Sequence, residues 1–385
     1  MIKYPYSKPE ITKADISKVT NVLRSGYLTQ GKAIKIFEAA ISKEFKAKYT
    51  LVCNSGTAAL HLVYSTLNLG PNNGLLTTPL TFLATANAAK MCNAPVIFCD
   101  VDPITGLMTP ERIENALIKS KIKIKVISVV HLGGNLCNMK KISEVAKKYN
   151  CLIVEDACHA PGAFYNKNIP VGSSKYSVAT TFSFHAIKHI AMGEGGCITT
   201  NDLNLYKNIL LKRNHGMERD QKKFKFSPEK SAPWYYEMND LGWNYRADEM
   251  TCALGYSQLS RLRKNINKRR SLVDYYYKYL KDEKLIELPI KNNNNVWHLF
   301  PIKINFEKLG KTRGEFMNEL EQYGIGSQVH YIPLYLQPYY REKNIKKYQG
   351  AKEYYKNTLS IPLYVQLKRT DIFYITEKIK NILLN

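Results

Sequence analysis

The chain has 385 residues, of which 45% are hydrophobic, and its 56 basic and 32 acidic side chains give a net charge of +24. This length predicts two domains, because it exceeds what one small core usually organises. No apolar stretch approaches the roughly 20 residues of a membrane span, and the first residues lack the apolar core of a secretory signal, so we expect a soluble, cytoplasmic protein without a membrane partner.

The charge of the chain bears on nucleic-acid binding, and its cysteines bear on metal binding and on the redox compartment. The segment 261–270 is strongly basic, but lysine is abundant elsewhere too, for example at 119–125, which indicates compositional bias rather than a nucleic-acid footprint. The eight cysteines form no C-x-x-C pair and have no matching histidine spacing. We therefore predict no nucleic-acid partner, no metal site and a reducing compartment.

Strand-like apolar runs alternate with helical patterns through much of the chain. The runs lie at 50–53, 75–78, 95–99, 126–130 and 152–154, and a helical pattern covers 142–148. Such alternation predicts an α/β fold with a mostly parallel sheet that helices cover on both faces.

The pattern changes near Asp248. One long helical tract is predicted from there to about Lys281, followed by a polar loop at 291–295, a strand at 297–302 and two or more helices. We therefore predict a large α/β domain over residues 1–247, and connecting helices with a smaller α+β domain over residues 248–385.

The first predicted strand leads into a turn that is typical of anion sites. Residues 54–57 read Asn-Ser-Gly-Thr, and a helix is predicted from Ala58. Free N–H groups at a helix start bind phosphate. Ordinary capped loops have the same residues, so the turn by itself leaves both interpretations open.

Asp156 follows a buried apolar run at 151–155 and is the first candidate site residue. The carboxyl ends of parallel strands line the ligand crevice of an open sheet, so an acid at that point favours a site role. The alternative is a helix N-cap, a position that Asp also favours.

Lys188 is the lead catalytic candidate. It lies among apolar neighbours in the segment 183–190, which a glycine-rich turn at 193–196 closes. Desolvation lowers the pKa of a lysine, and the free amine can then condense with a carbonyl or transfer a proton. The alternative is a solvated surface lysine, which is the commonest kind in a basic chain.

In this chain order, the phosphate turn, the acid and the lysine resemble the sugar aminotransferases of the DegT/DnrJ/EryC1/StrS family. The resemblance extends over nearly all 385 residues, through further motifs at 26–31, 81–87, 100–103, 213–217, 242–246 and 360–364. It implies the fold-type I scaffold of enzymes that depend on pyridoxal 5'-phosphate (PLP), with a smaller C-terminal α+β domain. The chain departs from the family at His189, Ala191 and Met192, which affects the shape of the loop rather than the chemistry.

The resemblance also implies roles in cofactor binding. Lys188 would hold PLP covalently and act as general acid and base, and Asp156 would pair with the pyridine nitrogen. Phe82 would stack on the ring and His159 would lie beside its phenolic oxygen, although a core aromatic and a structural histidine are the alternatives. The phosphate would be bound by Gly56, Thr57 and Ser183, together with Asn244 of a neighbouring subunit in a homodimer. For Asn244 the alternative is a turn residue.

For the substrate, the resemblance points to residues that offer hydroxyl, amide and imidazole groups. They are Tyr6, Gly26, Tyr27, Leu28, Thr29, Ser183, His185, Asn244, Gln328, Val329, His330 and Tyr331. The implied reaction moves the amino group of L-glutamate to C4 of a UDP-linked 4-keto-6-deoxy-2-acetamido hexose, for pseudaminic acid or a related glycan. The alternatives are a dTDP- or GDP-linked 4-keto sugar, a 3-keto sugar, or a non-catalytic sensor or nucleic-acid binder on the same fold. A dehydrating branch of the family has histidine in place of the lysine, and Lys188 argues against it.

Overall fold

The computed structural model describes residues 2–226, 232–342 and 345–384. Its α-helices are, in chain order, α1 Lys13–Ser25, α2 Lys32–Phe45, α3 Gly56–Thr66, α4 Leu83–Met91, α5 Pro110–Lys119, α6 Met139–Lys148, α7 Leu203–Arg213, α8 Glu249–Leu259, α9 Leu262–Leu280, α10 Phe306–Leu309, α11 Arg313–Gln322, α12 Gln349–Asn357 and α13 Arg369–Leu384. Its β-strands are β1 Tyr49–Cys53, β2 Gly74–Thr77, β3 Val96–Phe98, β4 Ile124–Val130, β5 Leu152–Asp156, β6 Phe164–Asn166, β7 Ile169–Pro170, β8 Ala179–Ser183, β9 Gly196–Thr200, β10 Met217–Glu218, β11 Glu237–Met238, β12 Ile286–Glu287, β13 Phe300–Ile304 and β14 Thr358–Ile361.

The largest sheet confirms the predicted α/β class. Its strand order is β1-β9-β8-β5-β4-β2-β3. Strand β9 is antiparallel to both of its neighbours, whereas the other adjacent pairs run parallel. Strands β2, β4, β5, β8 and β9 are almost entirely buried, as expected for a sheet that is covered on both faces.

Strands β4, β5 and β8 end side by side at one edge of this sheet. Asp156 pairs with Val130 of β4 on one side and with Thr181 of β8 on the other. Strand β8 then continues to Ser183. Segments that follow these strands therefore meet at the carboxyl edge, where parallel sheets bind their ligands.

A smaller antiparallel sheet of β12, β13 and β14 lies in the C-terminal part of the chain. Residues of α9, α11 and α13 share its apolar core, which includes Phe300 and Phe316 and also Tyr4 from near the N-terminus. In contrast, Leu334 and Tyr354 belong to an apolar cluster with residues of the larger sheet. The boundary between residues 247 and 248 stays a prediction.

The sequence predicts one long helical tract from Asp248 to about Lys281, and the structure is helical over this range except at one break. Two helices, α8 and α9, are separated at Ser260 and Arg261. The guanidinium of Arg261 donates to both carboxylate oxygens of Asp15 in α1, at 3.0 and 2.8 Å. Helix α8 packs against α1 and α2, whereas α9 continues onto the smaller sheet. Leu262 and Ile266 at the start of α9 still share an apolar cluster with Leu259 of α8, whereas Leu272 and Tyr276 further along α9 pack on the smaller sheet.

The strand predicted at 297–302 begins later, at Phe300. Trp297 has a φ of 53°, in the left-handed region, which no strand residue adopts. The N–H groups of His298 and Leu299 both donate to the carbonyl of Gly133, at 2.9 and 3.2 Å. The segment is therefore a loop that runs against the larger sheet before the strand starts.

Within the described residues, no helix combines the length and the apolar character that a membrane crossing needs. No group of three or more His, Cys, Asp or Glu side chains in that part of the chain is arranged to hold a metal ion. All eight cysteines are free.

Candidate active site

A cavity of about 670 Å³ opens at the carboxyl edge of β5 and β8, within the size range of small-molecule sites. Loops of the larger sheet, the loop before β13 and the segment after Gln328 form its walls. Most of the predicted site residues line it, namely Tyr6, Gly56, Thr57, Phe82, Asp156, His159, Ser183, His185, Lys188, Gln328, Val329, His330 and Tyr331. The fold therefore gathers into one cavity residues that are more than 300 positions apart in sequence.

Lys188 reaches the cavity from a tight loop between β8 and β9. The backbone N–H of Lys188 donates to the carbonyl of His185, and Ala186 donates to the carbonyl of Gly193, both at 2.8 Å. Gly193 adopts a φ of 84°, which favours glycine at the turn. Burial lowers the pKa of the Lys188 amine, while nearby Cys158 and Asp156 oppose that shift. The site thus raises the neutral, nucleophilic fraction of the amine.

Asp156 is the last residue of β5 and is 6% exposed. Its Oδ2 accepts a hydrogen bond from the Thr85 hydroxyl at 2.7 Å, and its Oδ1 accepts one from the N–H of Cys158 at 3.3 Å. No helix begins after it, so the N-cap interpretation is wrong. The carboxylate is instead held at the cavity wall by two donors.

The turn after β1 opens into the same cavity. Ser55 caps α3, because its hydroxyl accepts from the N–H of Ala58 at 3.1 Å. The first N–H groups of a helix have no partner within the helix, and here they belong to Gly56 and Thr57. A Cβ on Gly56 would lie 2.8 Å from Cβ of Ser183, so only glycine allows this close approach. The turn is a capped loop that also presents free donors beside a hydroxyl.

His159 is a neutral imidazole with a defined proton position. Its Nδ1 accepts from the backbone N–H of Gly133 at 3.1 Å, so its proton is on Nε2, which donates to the Tyr331 oxygen at 3.2 Å. Burial lowers the pKa of His159 well below its usual value, and the positive charge of Lys188 acts in the same direction. The Tyr331 hydroxyl proton is left available for another acceptor.

Phe82 is not a core aromatic, since 57% of it is exposed. It precedes α4 at the cavity wall, with its ring centroid 6.1 Å from that of Tyr331. A flat apolar face is therefore available to a ligand in the cavity.

The remaining cavity residues differ in how tightly they are held. The rings of Tyr6 and His330 lie 5.4 Å apart, and Nδ1 of His330 contacts the Ser360 hydroxyl at 2.9 Å. At the cavity mouth, His185 lies 3.8 Å from the Glu194 carboxylate, with both side chains substantially exposed. The inner wall is thus preorganised by hydrogen bonds, whereas the mouth is adaptable.

The lining also contains residues that the sequence does not single out, among them the polar side chains of Thr85, Glu194 and His298. Thr85 lies in the 81–87 motif, and its hydroxyl contacts that of Thr81 at 2.8 Å. Glu194 lies in the glycine-rich turn. His298 was assigned to a strand, so no local signal indicated that its ring enters the cavity.

Five predicted contacts lie outside the cavity lining in a single chain. Gly26, Tyr27, Leu28 and Thr29 form an exposed segment between α1 and α2, and Tyr27 borders a separate surface groove. Asn244 is exposed and its carbonyl accepts from the side chain of Asn54 at 3.3 Å. Their assignment to the ligand site stays a prediction.

A sequence model of the DegT/DnrJ/EryC1/StrS aminotransferase family matches residues 9–380. The chain belongs to this family. Aminotransferases of the DegT/DnrJ/EryC1/StrS family depend on PLP, so the predicted enzyme class and cofactor are confirmed at the level of the family, as is the fold class.

Individual members of the DegT/DnrJ/EryC1/StrS family are similar over their whole length. A Campylobacter jejuni protein named UDP-4-amino-4,6-dideoxy-N-acetyl-beta-L-altrosamine transaminase is 37% identical over 385 residues, covering 97% of this chain and 98% of that protein. The structure of Helicobacter pylori PseC, described as an aminotransferase involved in the biosynthesis of pseudoaminic acid, aligns with a TM-score of 0.89 at 29% identity over 99% of both chains. Spr1654 of Streptococcus pneumoniae, solved in a PLP form, aligns with a TM-score of 0.87 at 27% identity, over 99% of this chain and 98% of that one.

Proposed function

We propose that this enzyme transfers the amino group of L-glutamate to C4 of a UDP-linked 4-keto-6-deoxy-2-acetamido hexose. The observation that carries the proposal is the placement of the Lys188 amine and the Asp156 carboxylate on one cavity, beside a helix start that offers free N–H donors. The names of the Campylobacter and Helicobacter relatives support the sugar substrate.

The cavity residues fit PLP in their chemistry. Gly56, Thr57 and Ser183 offer neutral donors and the positive end of the α3 dipole, a combination that suits a phosphate dianion. Asp156 offers a buried carboxylate for a protonated ring nitrogen, and Phe82 offers a face for the ring. When bound, PLP supplies an electron sink for the bond that breaks at the amino-bearing carbon.

Lys188 is the residue that holds the cofactor and moves the proton. Because burial lowers the pKa of its amine, Nζ can accept a proton from the α-carbon of glutamate and would then donate it to C4' of the bound cofactor. Thr85 and the N–H of Cys158 fix the Asp156 carboxylate while this happens. Tyr331 can donate its hydroxyl proton, since His159 already occupies the Tyr331 oxygen as a donor.

The sugar and nucleotide would contact both the inner wall and the mouth of the cavity. Tyr6, His185, Gln328 and His330 offer groups that bind hydroxyls and amides, and a positive overall charge favours an anionic nucleotide sugar.

We also propose a homodimer in which the exposed Asn244 and the segment from Gly26 to Thr29 reach the cavity of the partner subunit.

The test is an amino-transfer assay with purified protein, PLP, L-glutamate and a panel of keto sugars. We expect 2-oxoglutarate to form with the UDP-linked 4-keto-6-deoxy-2-acetamido hexose. If the enzyme instead turns over a dTDP- or GDP-linked 4-keto sugar, or a 3-keto sugar, the proposed substrate is wrong. If no acceptor is turned over, and Lys188→Ala keeps the function of the wild type, the protein is a binding protein rather than an enzyme.

A further inference from the structure

A second histidine ring lies against His159 in the cavity wall. The ring centroids of His159 and His298 are 4.4 Å apart, and the ring planes are inclined by 34°. Both residues line the cavity, and His298 is 2% exposed. The proposed amino transfer assigns no step to His298.

One glycine holds both histidines. The N–H of Gly133 donates to Nδ1 of His159 at 3.1 Å, and its carbonyl accepts from the backbone N–H of His298 at 2.9 Å. Gly133 has a φ of 68°, a conformation that favours glycine. Both histidines are therefore anchored to the same residue, His159 through its ring and His298 through its backbone.

The backbone of His298 is also fixed from the side of the smaller domain. Buried Arg269 donates through Nη1 to the carbonyl oxygens of Trp297, His298 and Leu363, at 3.2, 3.3 and 2.8 Å. Burial lowers the pKa of this guanidinium to about 10, so it remains charged at neutral pH. A buried cation whose donors go to three carbonyls holds the loop in one conformation.

Both rings are neutral, so they pack together at an inclination of 34° without charge repulsion. Burial lowers the pKa of His298 well below its usual value, and His159, Lys188, His189 and Arg269 all act in the same direction. Burial, Lys188, His330 and His189 likewise lower the pKa of His159. Nδ1 of His298 has no hydrogen-bond partner among the described residues, so this nitrogen does not fix either ring. The contact between the rings is made through their faces.

We propose that His298 is a positioning residue, whose ring face holds His159 in the orientation that directs Nε2–H at the Tyr331 oxygen. If the face of His298 were removed, His159 would have room to rotate away from the Gly133 N–H, and its proton could move to Nδ1. Tyr331 would then lose the donor that orients its hydroxyl. The use of that hydroxyl by a ligand rests on the proposed function, but the coupling between the two rings does not.

The experiment compares His298→Leu with His298→Phe in the full-length protein. Leucine fills the space without a flat face, whereas phenylalanine keeps the face and lacks nitrogens. The matched control is His61→Leu, which removes an equally buried ring that lies 4.4 Å from the Trp243 ring, away from the cavity. Should His298→Leu fail to fold, His298→Met serves in its place.

The readout is NMR of the protein labelled with 15N-histidine, which has eight imidazoles to resolve. In the wild type, His298→Phe and His61→Leu, we expect His159 to show one neutral form with the proton on Nε2. In His298→Leu we expect a second His159 form with the proton on Nδ1. Unchanged His159 signals in His298→Leu would overturn the proposal, as would the same second form in His298→Phe.

Kinetics separate this inference from the proposed function. We expect kcat to fall about 10- to 100-fold in His298→Leu and to recover in His298→Phe, because misplaced groups act on the chemical step. Absence of amino transfer in the wild type, with the NMR result as expected, would defeat the proposed function and leave the positioning role intact. Amino transfer with His159 unaffected in His298→Leu would defeat the positioning role alone.

Discussion

The hydroxyl of Thr85 donates a 2.7 Å hydrogen bond to Oδ2 of Asp156. Thr85 is in turn 2.8 Å from the hydroxyl of Thr81, so both hydroxyls at the start of α4 take part in fixing the acid. Asp156 is therefore held from two directions, by its own strand and by the helix that follows Phe82.

Replacing Thr85 by valine should lower kcat/KM for amino transfer about 10- to 100-fold, because a hydrogen bond to a charged group contributes about 1.5–3 kcal/mol. Valine keeps the shape of the side chain and removes the donor. Steady-state kinetics with saturating PLP measures the effect, and Thr85→Ser, which keeps the hydroxyl, is the control. Equal loss in both variants would show that the methyl group matters rather than the bond.

Replacing Lys188 by alanine should lower turnover by orders of magnitude while the fold is retained. Exposed Lys140 is a control, and Lys140→Ala should behave like the wild type. Borohydride reduction of the wild type with PLP, followed by peptide mapping, should place the cofactor on the peptide that contains Lys188. Label on another lysine would contradict the assignment of this residue.

Replacing Gly56 by alanine should weaken PLP binding, because the new Cβ would lie 2.8 Å from Cβ of Ser183. Either the turn or the β8 end must shift, and the phosphate donors shift with it. Titration with PLP, followed by absorbance, measures the affinity. Gly314→Ala in α11 is the control, since the nearest atom to its added Cβ is 3.9 Å away. Similar PLP affinity in both variants would argue against a phosphate site at this turn.

Acid should destabilise the protein through its buried histidines. Burial lowers the pKa of His330 from 6.5 to about 3, and Lys188 adds to the effect. The unfolded chain therefore binds the proton first as the pH falls below 6.5, and the free energy of unfolding decreases by about 2 kcal/mol at pH 5 from this residue. At pH 7.5 the imidazole is neutral in both states and contributes no such pH dependence.

Urea unfolding at pH 7.5 and pH 5 tests this, with His330→Gln compared with the wild type. Glutamine keeps a polar group near Ser360 and does not titrate, so the loss of stability between the two pH values should be smaller. Exposed His215 provides the control, as His215→Asn should leave the pH dependence unchanged. An identical pH dependence in His330→Gln and the wild type would contradict the prediction.

Local sequence patterns were sufficient to predict an element when the residues of that element alone determine its structure. Alternating runs predict the strands that become β2, β3, β4 and β5, and the acid at the end of the last of these lies at the sheet edge as expected. They missed the break at Arg261, whose guanidinium pairs with Asp15 of α1, and the loop at Trp297, where a strand was expected. Phe82 is exposed because it lies just before α4, at the cavity wall. The sequence alone did not show this position.

The sequence by itself determined the α/β class and the family, because strand periodicity and motif order depend only on the order of residues along the chain. It also gave Lys188 as the candidate catalytic residue, from the apolar neighbours of that lysine. Tertiary structure alone decided which side chains share the cavity with Lys188. Thr85, His298 and Tyr331 come from separate parts of the chain, and only tertiary packing brings Thr85 against Asp156, and His298 and Tyr331 against His159.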